Sequence, residues 1–262
     1  MKKIVVLMAY YNRKNLLLNT LESLKKSTYS NFEVLVMDDG SDEPFVTGEY
    51  PYSISVHRIS KEEKKWNIYL IPMNIGAKIA INKGADIIMF QNAEARHVGD
   101  VISYTSENLT EENYLSFACY SLSKESTFNP NLDSVLPEII SSHNVCASDS
   151  DHDSWYNHPL YRGTGYDFCA AVTKDNLIRL NGYDERYAEG VCYCDDDLVM
   201  RVKRAGLKIE IPTDPFVAHQ WHKSSGHIMD FDLKAGMNKE LYYKIANEET
   251  GCRAKHIYTE DL

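Results

Sequence analysis

No apolar run in the 262 residues approaches the roughly 18–20 needed to cross a bilayer. There is no internal repeat and no low-complexity tract. Basic residues are scarce: 28 Lys and Arg stand against 38 Asp and Glu, a net charge of -10. Duplex nucleic acid demands a basic face, so it is excluded as a partner. A small anion gathered by a bound metal is not excluded. No C-x-x-C pair occurs among the six cysteines, and Cys192-Tyr193-Cys194 is too tight for a zinc knuckle. A chain this long buries nearly three quarters of its unfolded surface and needs no disulfide framework. The cysteines therefore read as reduced, mostly buried thiols in a cytosolic protein. No secretory signal is expected either. Lys2-Lys3 before Ile4–Ala9 mimics one, but the apolar stretch is short and Asn12-Arg13-Lys14-Asn15 follows where small residues should stand.

What is present is ordinary for a globular chain. Apolar residues make up 44% and charged residues 25%, which excludes disorder as the main state. Tyr is abundant at 18 against 8 Phe. Tyr offers a stacking face and a hydroxyl, which suits polar ligands such as sugars; partly exposed core aromatics explain the count equally well.

The apolar pattern alternates strand and helix. Ile4–Met8 is a short run rich in β-branched residues, the mark of a strand covered on both faces. Leu16, Leu17, Leu21 and Leu24 recur at helical spacing, with Asn12 or Asn15 as the cap. Phe32–Met37 is a second strand, ended by the turn Asp38-Asp39-Gly40-Ser41. Strand, helix, strand makes a right-handed βαβ unit and opens an α/β sheet. Ligands of such sheets sit beyond the carboxyl ends of strands, where Tyr10–Arg13 and Asp38–Ser41 lie. Val56–Ile59 is a weaker strand, and Asn74–Gly84 a helix with small residues on one face. Asp86–Phe90 is a buried strand ending at Gln91-Asn92-Ala93-Glu94, and Val98–Tyr104 opens a helix. From Ser121 to Arg162 the chain is rich in Ser, Asn, Asp and Pro and reads as a long irregular loop. Then come a strand at Phe168–Val172, a helix at Lys174–Leu180, a helix at Asp197–Ala205, a short strand at Lys208–Ile211 and a helical tail from about His227 to Ile245.

Five clusters carry chemistry. Asp38 and Asp39 end a buried strand and can accept from a base N–H or a ribose hydroxyl; an Asx turn explains them as well. Asn92 and Glu94 offer two oxygen donors to one divalent cation, or a simple capping turn. Asp195-Asp196-Asp197 sits at a helix N-terminus, where the dipole favours negative charge. Three carboxylates exceed what a cap needs, and one can serve as general base toward a hydroxyl. His219 and His222 flank Trp221 after a strand and can complete a metal shell. Asp149-Ser150-Asp151-His152-Asp153 resembles the start of a calcium loop, but Ser154 and Leu160 stand where Gly and Glu are required, leaving a loose cation site or a solvated loop.

Together these residues resemble glycosyltransferase family 2. Val6 to Glu43 carries the opening strand, the polar Tyr10–Arg13 segment and the Asp-Asp-Gly-Ser end. Met73 to Glu94 resembles the family's N-x-G…A-x-N-x-G…D-x-D stretch, with Asn74, Gly76, Ala80, Asn82 and Gly84 in place. Asn181-Gly182-Tyr183-Asp184-Glu185 resembles its NGFDE turn, and Asp195-Asp196-Asp197-Leu198, Arg201 and Gly206 its E-D-x-D-L…R…G motif. Two positions depart: Asn92 stands at the first Asp of D-x-D, and Cys194 where Glu is usual.

The resemblance implies an α/β GT-A fold, a mostly parallel central sheet flanked by helices. It would span residues 1–225, with a Rossmann-like nucleotide-sugar-binding half over 1–100 and an acceptor half over 101–225. Residues 226–262 form the tail. The implied activity is inverting transfer of a sugar from a nucleotide diphosphate, UDP- or dTDP-linked, to a hydroxyl of a glycan or glycolipid acceptor. Asp195 would be the base. Tyr10, Asn12, Arg13, Asp38, Asp39, Asn74 and Asn92 would hold the donor. Asp196, Trp155, Tyr156, Tyr161 and Trp221 would face acceptor or sugar. Glu94, His219 and His222 would hold Mn²⁺ or Mg²⁺. The Ser121–Arg162 loop would set donor and acceptor preference, and peripheral membrane contact through the tail is left open. The rival is a nucleotide-sugar or glycan-binding domain of the same fold without turnover. A nucleotidyltransferase fits less well, because Ala9–Arg13 lacks the Gly- and Arg-rich loop that activity uses.

Overall fold

The computed structural model describes residues 1–143, 152–223 and 229–262. The chain runs β1 (Ile4–Tyr10), α1 (Lys14–Leu24), β2 (Phe32–Asp39), β3 (Ser53–Ile59), α2 (Leu70–Asn82), β4 (Ile87–Asn92), β5 (Ala95–Val98) and α3 (Val101–Asn108). It continues through β6 (Asn113–Ser116), β7 (Cys119–Ser121), α4 (Lys124–Thr127), α5 (Leu132–Ser142), β8 (Ser154–Asn157), β9 (Cys169–Thr173) and α6 (Lys174–Leu180). A 3₁₀ turn (Glu185–Tyr187) leads to α7 (Cys194–Arg204), β10 (Lys208–Glu210), β11 (Phe216–His219) and α8 (Phe231–Glu248).

Among the described residues the strands form two sheets. The larger has the order β10-β6-β9-β4-β1-β2-β3, the smaller β5-β11-β7-β8. β1 pairs in parallel with β2 on one side and β4 on the other, from Ile4↔Phe32 and Ile4↔Ile87 to Tyr10↔Asp38 and Ala9↔Asn92. Only β9 runs against its neighbours in the larger sheet. The alternation of β1 explains both layers. Val5 and Leu7 face one core with Leu35, Met37, Ile88 and Phe90 under α2. Ile4, Val6 and Met8 face the other with Val34, Val36, Ile87 and Met89 under α1. Each such side chain contributes roughly 1.5–3 kcal/mol on burial. α2 lies close on β1 because Gly76 is bare: a Cβ there would stand 2.3 Å from Leu7 Cδ1.

Several boundaries differ from the sequence expectation. α2 begins before Asn74, and α7 begins at Cys194, so all three aspartates lie in its first turn. The cap of α1 is Arg13; Asn12 takes a left-handed φ of 54° and makes no cap bond. The stretch expected to be one irregular loop holds α4, α5 and β8. Leu132, Leu136, Ile139 and Ile140 of α5 do recur at helical spacing and pack with Trp155 and Tyr120 in a third core, but Pro137 and the serines disguise them. Of the suspected cation loop, Asp149, Ser150 and Asp151 lie outside the described residues, as does the expected boundary at 225/226. Asp153 instead accepts from Ser123 N–H (2.8 Å) and Ser126 Oγ (2.9 Å), clasping α4.

The polar end of the tail folds back on the body. Glu185, fully buried, accepts from the backbone N–H groups of Ile257 (2.8 Å), Tyr258 (2.6 Å) and Thr259 (3.0 Å), and from Asn74 Nδ2 (3.0 Å). Asn181 donates to the Ala254 carbonyl at 3.0 Å. Burial pushes the Glu185 carboxyl up, but the bonds from Thr259, Asn74 and the amides outweigh it and hold the carboxyl below the usual range. A carboxyl lowered on folding stabilises above its unfolded value, about pH 4.3, and that contribution fades as pH falls through the folded value. Glu185→Gln should therefore lose about 1.5–3 kcal/mol in urea unfolding at pH 7. The gap to wild type should narrow in acid; a gap independent of pH would remove the charge from this account.

Candidate active site

The sheet order reverses at β1, whose carboxyl end lies between those of β2 and β4. Such a switch point opens a crevice. A cleft of about 270 Å³ lies there, lined by Tyr10, Tyr11, Arg13, Asp39, Asn92 and Glu94 from the strand ends. The segment between β3 and α2 closes it with Lys64, Asn67 and Tyr69.

One end of the cleft is built on Asp39. Its carboxylate accepts from Trp66 Nε1 at 2.9 Å and Lys64 Nζ at 2.6 Å. Burial nevertheless pushes its carboxyl above the ordinary range, against the Lys64 charge. The Lys64 ammonium also lies 4.3 Å from the Tyr11 ring centre.

The other end is built on Glu94. β5 and β11 pair antiparallel with Ala95 opposite His219, and Gln220 N–H donates to the Glu94 carbonyl at 3.0 Å. That pairing brings distant segments together. Glu94 Oε1 lies 2.6 Å from Arg13 Nη1, 3.1 Å from His222 Nε2 and 3.6 Å from His219 Nε2. Burial pushes the Glu94 carboxyl up, but bonds from His219 and His222 and the Arg13 charge prevail and hold it well below the usual range. Ligand atoms of Glu94, His219 and His222 lie within 4.8 Å of one another, close enough to share one cation. His219 Nδ1 is buried with no hydrogen-bond partner, so one donor of the set is unspent.

Across the cleft wall stands the first turn of α7. Asp195, half-buried, accepts from the Tyr69 hydroxyl at 2.6 Å. Asp196 accepts from the Tyr166 hydroxyl at 2.6 Å and lines a groove with Thr164, Lys203, Arg204 and Tyr242. Asp197 is buried and pairs with Arg201 Nε at 2.6 Å, whose Nη1 reaches the Leu180 and Gly182 carbonyls. Cys194 is buried, with its sulfur 3.5 Å from Asp195 Oδ1.

The structure thus gathers Tyr10, Arg13, Asp39, Asn92, Glu94, His219 and His222 around the cleft, and does not bring the other expected donor residues there. Asp38 is fully buried behind the wall, occupied by Ser41 N–H, Phe45 N–H and Arg58 Nη1. Asn12 clasps the backbone N–H of Asp42 at 2.8 Å. Asn74 belongs to the Glu185 bracket and exchanges two bonds with the Tyr183 backbone. These short polar chains shape the walls because each carries a donor or acceptor that a turn consumes. Among the expected sugar platforms, Trp155 is buried between Tyr120, His158 and Phe216, a core position rather than an open face. Tyr156 is buried behind His219 and stacks on Phe168. Tyr161 is exposed beside His158, and Trp221 is half-buried with the Lys124 ammonium 5.1 Å from its ring centre. Lys64, Trp66 and Tyr69 were invisible as site residues in the sequence, since each stands alone without a motif.

Comparison with known proteins decides the family. The sequence profile of glycosyl transferase family 2 matches residues 5–135, half of the chain. The chain belongs to glycosyl transferase family 2. No curated protein matches it at a significant level. Among solved structures, Staphylococcus aureus TarS residues 1–349 in complex with UDP superposes with a TM-score of 0.54 at 12% identity, over 95% of this chain and 73% of that one. A second S. aureus TarS structure gives 0.53 at 12%, over 95% and 44%. Mannosyltransferase PcManGT from Pyrobaculum calidifontis, in complex with GDP-Man and Mn²⁺, gives 0.49 at 14%, over 86% and 59%. The chain spans less than two thirds of the latter two. At such identities the TarS likeness shows the GT-A fold alone, which the seven-stranded sheet flanked by helices bears out. No described helix is long and apolar enough to cross a membrane.

The Glu94 cluster yields a direct expectation. Mn²⁺ titrated into the protein and followed by electron paramagnetic resonance should bind at one site. Glu94→Ala should weaken it by at least about 10–100-fold, since even partners of metal ligands are worth that much. Equal binding by the variant would place the ion elsewhere.

Proposed function

We propose that the protein is an inverting glycosyltransferase. It would move a sugar from a UDP- or dTDP-linked donor to a hydroxyl of a glycan or glycolipid acceptor. One observation carries this reading: Tyr69 lines the cleft that holds Glu94 and donates to Asp195, joining a candidate base to a candidate cation site across one cavity. Family membership supports it.

The chemistry assigns each group a task. Asp195 takes the proton of the acceptor hydroxyl as its oxygen attacks the anomeric carbon. The bond from that carbon to the diphosphate oxygen breaks on the opposite face, inverting the centre. Glu94, His219 and His222 would hold a divalent cation, which when bound would supply positive charge at the end of the cleft where the diphosphate leaves. Two imidazoles beside one carboxylate suit Mn²⁺ better than Mg²⁺, which takes oxygen ligands. Arg13, already at Glu94, adds a second positive charge at the same end. The Asp39, Trp66, Lys64 and Tyr11 recess takes the nucleoside, and Tyr10 and Asn92 lie between it and the cation site. The Asp196 groove, with Tyr166 and Tyr242, takes the acceptor, and Tyr161 and Trp221 are the aromatic rings that would meet sugar.

Two measurements test this. UDP, dTDP, GDP and CDP, each with and without Mn²⁺, should include one that raises the melting temperature only with metal. At 100 times its dissociation constant a ligand adds roughly 2.7 kcal/mol, a shift of roughly 5–10 °C at this size. Asp195→Asn should then lose about 10²–10⁴-fold in turnover while binding that nucleotide as before. Full turnover by the variant would remove Asp195 as base; nucleotide binding without turnover by the wild type would favour a binding domain.

A further inference from the structure

Behind Asp195 lies a second carboxyl group that the proposed reaction does not use. Asp167, just before β9, is 4% exposed and within hydrogen-bonding reach of Asp195. The donors around the pair can be counted. The Tyr183 hydroxyl, itself buried, donates to Asp167 Oδ2. The Tyr69 hydroxyl lies 2.6 Å from Asp195 Oδ1, and 3.4 and 3.3 Å from the two Asp167 oxygens. A hydroxyl carries one proton, and the shorter contact claims it for Asp195. Asp167 is left with the Tyr183 hydroxyl, its own backbone N–H and a carboxylate beside it. The other titratable groups around the pair are Tyr114 on β6, Tyr166, Cys192 and Cys194, all neutral in their ordinary state, and beyond them Asp196, which accepts from Tyr166. Among the described residues no Lys, Arg or His forms an ion pair with either aspartate. Two negative charges at hydrogen-bond distance do not persist in such a place.

We propose that Asp167 is a positioning residue for Asp195: it keeps a proton at neutral pH and donates it as a hydrogen bond to the Asp195 carboxylate. Asp167 is the more buried of the two, so the shared proton rests there. Burial first, and then the Asp195 charge, push the Asp167 carboxyl well above its ordinary value, against the Tyr183 bond. With Tyr69 on one oxygen and Asp167 beside it, the base is held in one orientation. The catalytic meaning of this arrangement rests on Asp195 being the base of the transferase proposed above; the shared proton itself does not.

The proton can be read without turnover. Infrared difference spectra of the whole chain at pH 7 should show the C=O stretch of a protonated carboxylic acid, and Asp167→Asn should remove it while the melting transition stays cooperative. Identical spectra from wild type and variant overturn the proposal. A band that Asp167→Asn removes, with no turnover for any donor, supports the shared proton and overturns the transferase reading instead. In the active enzyme, Asp167→Asn keeps an N–H donor and should hold kcat within about fivefold of wild type. Asp167→Leu has no donor; it should lose at least about tenfold in kcat, leave donor KM unchanged and move the acid limb of the pH profile upward by on the order of one unit. Equal losses in both variants overturn the proposal. So does a raised donor KM with an unmoved limb, which would make Asp167 a donor contact.

Discussion

Strand β1 is paired on both sides and covered on both faces, and the cleft hangs from its carboxyl end. Parallel pairing with β2 and β4 leaves three strand ends pointing one way. Helices α1 and α2 must then lie on opposite faces, because alternate residues of β1 belong to opposite cores. Tyr10 and Arg13 at the end of β1, Asp39 at the end of β2, and Asn92 and Glu94 at the end of β4 become neighbours through strand register, and Arg13 and Glu94 then pair. A residue slip in β1 would exchange the two cores and separate these ends. The site is a consequence of strand register first and of side-chain chemistry second.

A protein of net charge -10 has buried an unusual set of carboxylates, and each is settled by a different local device. Asp38 has the Arg58 guanidinium and two backbone amides. Asp197 has Arg201, and Glu185 three amides of the returning tail. Glu94 has Arg13 and two imidazoles. Asp39 and Asp184 have Lys64 and Arg186. Asp167 has no cation and no amide array, only tyrosines, its own backbone N–H and another aspartate. That contrast is why Asp167 stands out: where the other buried carboxylates found compensation, it is kept by holding on to a proton.

Much of this was legible in the sequence, and what was not has physical reasons. Continuous β-branched runs such as Ile4–Met8 and Asp86–Phe90 read as buried strands because nothing else buries so many apolar side chains in so few residues. Glu94, His219 and His222 were picked by donor chemistry and are found together. Asp38 was picked on the same chemistry, and Asn12 and Asn74 on the family resemblance, but all three sit in turns and brackets, since a short polar side chain next to a site satisfies backbone groups as readily as a ligand. Trp155 went to a core because a large ring buries more area there than on a loop. Asp167 left no mark, being one acidic residue before a strand; its role depends on Tyr69, Tyr183 and Asp195, which only the tertiary fold brings near.

The run Asp195-Asp196-Asp197 shows how one turn of helix divides labour. Successive residues point about 100° apart around an α-helix. Asp195 therefore faces Tyr69 and the cleft, Asp196 faces Tyr166 and the open groove, and Asp197 faces inward to Arg201. The inward ion pair ties α7 to the Leu180 and Gly182 carbonyls, so the turn that carries the base is fixed from behind. The α7 dipole favours all three charges, yet it cannot distinguish them. What separates a structural aspartate from a reacting one here is the direction of the side chain and the number of donors that meet it, and both are set by the neighbours of the helix.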